Sequence, residues 1–208
     1  MVEIRTKVVS VTTFALGTLY AAWVTASFSA TRAALLFAAV LCVDMGTTAL
    51  NSFFDYRRRV DEPERNREED KVLVHRGVAP GAALLVGLGL FGLASLLGVV
   101  LAVLSGPFVL LVGLAGMVVG YRYNGGRLPI SHTPFGELFA GLFLGPILFL
   151  LCFAVQARTV TPGAVLISAP LGLLVASILT VNNTCDIDGD RAAGRRTLSI
   201  LVGRRGGE

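Results

Sequence analysis

The chain has 208 residues, of which 54% are hydrophobic and only 15% charged, with mean hydropathy +0.72 and formal net charge +4. A soluble domain carries about 25% charged residues, so this composition excludes a disordered chain, a soluble nucleic-acid binder and a coiled coil. The three cysteines exclude a disulfide scaffold, since Cys42 and Cys152 lie inside apolar runs. What remains is an all-α, polytopic transmembrane helical bundle, expected as one domain over 1–208.

Six apolar stretches follow in chain order: 8–28, 33–54, 78–104, 108–123, 138–155 and 163–181. Each approaches the roughly 20 residues that cross about 30 Å of hydrocarbon, the fourth being the shortest. Ser105, Gly106 and Pro107 make a tight turn between the third and fourth. The 24 glycines suit close helix packing in lipid. The first stretch is too long for a signal-peptide core.

The basic residues orient the bundle. Sixteen of the 18 Lys and Arg flank the spans on one side: before span one, between two and three, between four and five, and after six. Arg32 and Arg158 alone fall on the other. By the positive-inside rule this predicts a cytoplasmic N-terminus in a cell membrane, and it accounts for the net charge without nucleic acid.

Acidic residues concentrate on the same side, in Asp-rich loops near 51–76 and 182–197. Asn51 and Asp55 stand at the end of span two, followed by Asp61. Asn182, Asp186 and Asp190 stand at the end of span six. Both segments contain Asn-x-x-x-Asp, a spacing that puts amide and carboxylate on one helix face about a turn apart. The first stripe runs inward through Thr48 to Asp44; the second runs outward to Asp190. The doubled motif reads as an internal repeat.

Carboxylates clustered at the mouth of a helical cavity repel one another unless compensated. Oxygen donors suit hard cations, and Mg²⁺ takes one or two carboxylates together with substrate phosphate oxygens. Two such clusters facing each other would hold a diphosphate through Mg²⁺, with Arg and Lys of the same loops neutralising the remainder. An apolar cavity between the helices would take a hydrocarbon tail. A single Asp at a helix end is ordinarily a solvated cap or ion-pair partner, and Asp188, Glu62, Glu64, Glu68, Glu69 and Asp70 are read that way. Asp44 divides evenly between a functional role and simple satisfaction by neighbouring Thr hydroxyls. His75 and His132 lack ligand spacing, which argues against zinc, and Cys185 is read as a passive thiol.

At these motifs the sequence resembles the UbiA superfamily of intramembrane aromatic prenyltransferases, and within it the dihydroxynaphthoate polyprenyltransferase branch of menaquinone biosynthesis. Residues 47–61 resemble its first Asp-rich motif, 182–198 its second, and 128–138, with Pro129, Pro134, Gly136 and Glu137, the segment before span five in that branch. Arg59 and Ser52 depart from the usual Gly and Asp. The resemblance implies a helical bundle around a cavity open to the membrane, and transfer of a polyprenyl group from an allylic diphosphate to an aromatic acceptor. It implies Asp55, Asp61, Asp186 and Asp190 as Mg²⁺ ligands, with Asn51 and Asn182 supporting them. Arg76, Arg122 and Arg195 are implied diphosphate contacts, and Tyr121 and Tyr123 stabilisers of the allylic cation. Family members have about nine spans, so the chain is expected to lack the last ones, and a homo-oligomer would cover the open flank. Three other readings stay open: a different aromatic acceptor, a truncated scaffold without activity, and a divalent-cation transporter. The last predicts acids deep in several spans, whereas here they gather at one face.

Overall fold

A computed structural model describes residues 7–58, 73 and 78–207. Asp61 and Arg76 lie outside the described residues, as does most of the first Asp-rich loop. The described residues form α1 (Val8–Thr25), α2 (Ala30–Arg57), α3 (Pro80–Ser105), α4 (Phe108–Asn124), α5 (Gly136–Leu142), α6 (Leu148–Ala157), α7 (Pro162–Cys185), α8 (Ile187–Ala192), α9 (Leu198–Val202) and α10 (Arg204–Gly207). The all-α expectation holds. Among the described residues, five helices are long and apolar enough to cross a membrane, counting α5 to α6 as one, and α4 is a shorter apolar helix.

Local chemistry sets the helix ends. Ser29 caps α2 by accepting from the Arg32 N–H, and Thr161 caps α7 by accepting from Ala164 N–H at 3.1 Å. Pro80 and Pro162 open their helices, where the missing N–H costs nothing. Gly106, at φ 122°, makes the turn between α3 and α4 expected at Ser105 to Pro107. The fifth span is not one regular helix. A π-turn at Phe143–Ile147, carrying Pro146, joins α5 to α6. The turn lies where backbone meets backbone: a Cβ on Gly145 would stand 2.6 Å from the backbone nitrogen of Gly172 on α7.

Helix α2 packs along α3, α1 on α6, and α5 with its π-turn on α7. Leu36, Ala39, Leu101, Val109, Leu148 and Val155 form a buried core toward the end opposite the Asp-rich motifs. That end is fastened by polar ties. Gln156 and Ser29 exchange hydrogen bonds at 3.0 and 3.1 Å, Arg32 donates to Val155 O at 2.9 Å, and Arg158 donates to Leu104 O at 2.5 Å. The two arginines outside the basic end therefore have structural partners. Large apolar side chains such as Trp23, Leu85, Val103 and Leu166 face outward, as lipid-facing residues of a bundle must.

Candidate active site

Between the helices lies a cavity of about 760 Å³. Val40, Leu110, Met117, Leu144 and Leu151 are among its apolar walls, while Asn51, Tyr123 and Asn182 line its motif end. Lys7, Ser10, Asp44 and Thr48 form a polar strip on the same wall. Roughly 10 Å of helix separates Asp44 from Asn51 along α2.

The two Asp-rich motifs meet beside this end. Asp55 is 7% exposed in the last turn of α2. It accepts from Asn124 Nδ2 at 2.8 Å and from Arg195 Nη2 at 3.4 Å. The other guanidinium nitrogen, Nη1, donates to Asp190 Oδ1 at 2.9 Å. One arginine thus links carboxylates drawn from both ends of the chain. Arg58 holds the approach from α4, donating to Asn124 O at 2.5 Å and to Gly126 O, with its guanidinium over the Phe54 ring.

The second motif is not one continuous stripe. Helix α7 ends at Cys185, Asp186 is the junction residue, and α8 begins at Ile187. This break separates the three polar residues: Asn182 lines the cavity, Asp186 is exposed, and Asp190 is buried. Asp188 is exposed and pairs with Arg204 at 3.0 Å, as its solvated reading expects. Tyr123 and Tyr121 also part company. Two residues along α4 turn the chain by about 200°, so Tyr123 faces the cavity. Tyr121 is exposed and lies edge-on to Phe54, in a shallow groove with Phe91, Ser95 and Arg122.

Asn124 carried no mark in the sequence, and the partners of Glu137, His132 and Asp44 were not legible there. Asn124 holds Asp55 in place. Glu137 is 2% exposed and accepts from Asn183 Nδ2 at 2.8 Å, tying the start of α5 to the second motif. His132 accepts from the Arg196 N–H through its carbonyl at 3.0 Å. Asp44 is satisfied by Lys7 and Ser10, while the Thr48 hydroxyl donates to the Asp44 carbonyl instead. For Asn124 the one sequence cue was its position at the end of an apolar run, whereas Asp44 stood on the first stripe and Glu137 in the segment before span five.

Electrostatics reflect the crowding. Burial, reinforced by the Arg195 and Arg58 guanidinium groups, pushes His132 down to about 4, so the imidazole is neutral near pH 7. Burial pushes the Asp190 carboxyl up, with Asp186 and Glu137 adding repulsion and Arg195 opposing it.

Buried polar groups are normally paired. Here Asn51 Oδ1, Asn124 Oδ1, Glu137 Oε2 and Asp190 Oδ2 are buried without a hydrogen-bond partner among the described residues. Unpaired oxygens on amides and carboxylates are the donor set a hard cation such as Mg²⁺ takes, so the residues present fit that ion. Among the described residues, no three His, Cys, Asp or Glu gather tightly enough to hold a metal unaided.

Residues 9–207 match the model of the UbiA prenyltransferase family. The chain belongs to this family. Among relatives, it is 39% identical over 83% of its length to the 1,4-dihydroxy-2-naphthoate octaprenyltransferase of Bacillus subtilis, covering 55% of that protein. It is 30% identical over 90% of its length to the protein of the same name from Mycobacterium tuberculosis, covering 63% of it. It is 29% identical over 79% of its length to human UbiA prenyltransferase domain-containing protein 1, covering 48% of it. The chain thus spans about half to two thirds of the length of these relatives. A UbiA homolog from Aeropyrum pernix, solved in its apo form, superposes with TM-score 0.72 at 22% identity, over 100% of this chain and 73% of that one. The UbiA fold, and with it a multi-pass membrane protein, is therefore established for the described helices.

Proposed function

We propose that the chain, acting as one domain over 1–208, carries a UbiA-type transfer of a polyprenyl group from an allylic diphosphate to an aromatic acceptor. The acceptor is dihydroxynaphthoate and the product a demethylmenaquinone; the kinship to the two naphthoate octaprenyltransferases supports that choice. The single observation that carries the reading is the meeting of Asp55 and Asp190 through Arg195 beside an apolar cavity.

Asn51, Asp55 and Asp190, with Asp61 and Asp186, would hold Mg²⁺ at this end. When bound there, the ion draws charge from the diphosphate and eases its departure. Arg195 offers a planar fork of donors suited to phosphate oxygens, and Arg76 and Arg122 are further candidates for that contact. The apolar walls take the tail and keep water from the allylic cation. Tyr123, on the cavity wall, presents its ring or hydroxyl toward that carbon, whereas Tyr121 would need to turn inward to do so. By the positive-inside rule the basic end faces the cytoplasm, so the diphosphate enters from that side. A second copy of the chain is the proposed protein partner.

The test is Mg²⁺-dependent transfer from a labelled polyprenyl diphosphate to dihydroxynaphthoate by the chain inserted in membranes. Asp55→Ala and Asp186→Ala serve as controls. Transfer to hydroxybenzoate in preference would overturn the acceptor assignment. No transfer at all by properly inserted protein would overturn the activity for this chain.

A further inference from the structure

The Arg195 guanidinium occupies the space between the motifs where a cation belongs. We propose that Arg195 acts as an internal stand-in for the metal, so that the chain binds a divalent cation strongly only together with the diphosphate. The inference rests on the functional reading above and concerns the order in which that site fills.

Three observations carry it. First, Arg195 contacts one carboxylate of each motif, at 2.9 Å to Asp190 and 3.4 Å to Asp55. The three side chains are only 15%, 4% and 9% exposed, so the positive charge is held where water screens it little. Second, the grip is uneven. The Arg195 N–H also donates to the Asp190 carbonyl at 2.9 Å, which anchors this residue to its own motif. The longer contact to Asp55 is the one that can release without unravelling α8. Third, the cluster is short of both partners. Asp190 Oδ2 and Glu137 Oε2 are buried acceptors unpaired among the described residues, which a cation would satisfy, and Arg195 Nε is a buried donor unpaired there, which a phosphate oxygen would satisfy.

The consequence is competition followed by cooperation. A divalent cation entering alone must approach a guanidinium already seated among the same carboxylates, and the like charges repel. A diphosphate changes the balance, because its oxygens accept the guanidinium fork and draw it away from Asp55. The Asp55 oxygen that the guanidinium leaves then takes the cation, while Asn124 keeps its hold on the other. Metal and diphosphate thus raise each other's affinity by the same factor, and an acid-rich site is kept from collecting cations without substrate. No bond is made or broken in this step; a guanidinium exchanges one anionic partner for another.

The experiment titrates the purified full chain in detergent with Mn²⁺, read by electron paramagnetic resonance, with and without geranylgeranyl diphosphate. In the wild-type chain the diphosphate is expected to tighten Mn²⁺ about tenfold or more, within the usual range of coupling. In Arg195→Gln, Mn²⁺ alone is expected to bind about tenfold tighter than to wild type, and the tightening by diphosphate to fall below about threefold. Mn²⁺ alone binding no tighter to folded Arg195→Gln than to wild type would overturn the proposal. Should Arg195→Gln not fold, Arg195→Met decides. It removes the charge while keeping much of the side-chain length, so tighter Mn²⁺ alone supports the stand-in role and unchanged affinity rejects it. These titrations need neither acceptor nor turnover, so a chain without transfer activity still tests the role of Arg195.

Discussion

Lys7 Nζ stands 2.6 Å from Asp44 Oδ1, joining the residue ahead of α1 to the middle of α2. The ammonium also donates to Thr48 Oγ1 at 2.5 Å, and the Ser10 hydroxyl donates to the second Asp44 oxygen. With the two side chains 8% and 16% exposed, removing one partner leaves a buried charge uncompensated, at about 3–5 kcal/mol. Lys7→Met is therefore expected to lower stability by that order in detergent unfolding. The double variant Lys7→Met with Asp44→Leu should regain most of the loss. A double variant as unstable as Lys7→Met would show that the loss comes from Lys7 packing and not from its charge.

Asn124 touches Asp55 and faces no substrate in the proposed reaction. Its amide orients one carboxylate oxygen at 2.8 Å, the kind of support whose loss typically costs 10- to 100-fold in metal affinity or activity. Asn124→Ala is expected to reduce Mg²⁺-dependent transfer by about that factor and to shift the Mg²⁺ requirement upward. A variant whose rate recovers at high Mg²⁺ supports the positioning role; an unchanged Mg²⁺ requirement would remove it.

His132 links stability to pH. Its folded value, about 4, lies below the ordinary 6.5, so between those limits the unfolded chain binds the extra proton. The stabilisation is complete above about pH 6.5 and is lost as pH falls toward 4. Asp190, pushed upward, acts in the opposite sense in acid, so the comparison must be made against a variant. His132→Gln should flatten the fall in melting temperature between pH 6.5 and 4, and identical slopes for both proteins would reject the assignment.

Gly145 and Gly172 bring two spans to backbone contact at the π-turn. A Cβ on Gly145 would lie 2.6 Å from Gly172 N and 2.7 Å from its Cα, and neither atom can step aside without moving α7. Gly145→Ala is expected to destabilise the bundle by about 1–3 kcal/mol. Gly113→Ala is the control, since nothing lies within 4 Å of its added Cβ. Equal melting temperatures for the two variants would show that the crossing yields more easily than its geometry suggests.

The first motif was legible because Asn51 and Asp55 stay on one helix, where a spacing of four residues does mean one face. The second was legible as a motif but not as a shape. The helix breaks at Asp186, and the break turns Asp190 inward and Asp186 outward. The π-turn was hidden for a similar reason: Pro146 and Gly145 are ordinary in a membrane helix, and only the neighbour at Gly172 gives their place a cause. Tyr121 and Tyr123 looked equivalent in the sequence, yet helical geometry sends them to different surfaces.

By itself, the sequence determined that this is a helical membrane protein with its charges at one end and two Asp-rich motifs there. Those properties follow from composition, run length and local spacing, because lipid admits only long apolar helices and excludes scattered charge. The tertiary structure alone decided which atoms meet. Arg195 reaches Asp55 across 140 positions of sequence, Asn124 supports the same carboxylate from α4, and Lys7 neutralises Asp44. Each of these contacts depends on how whole helices pack against one another, and no local pattern records that.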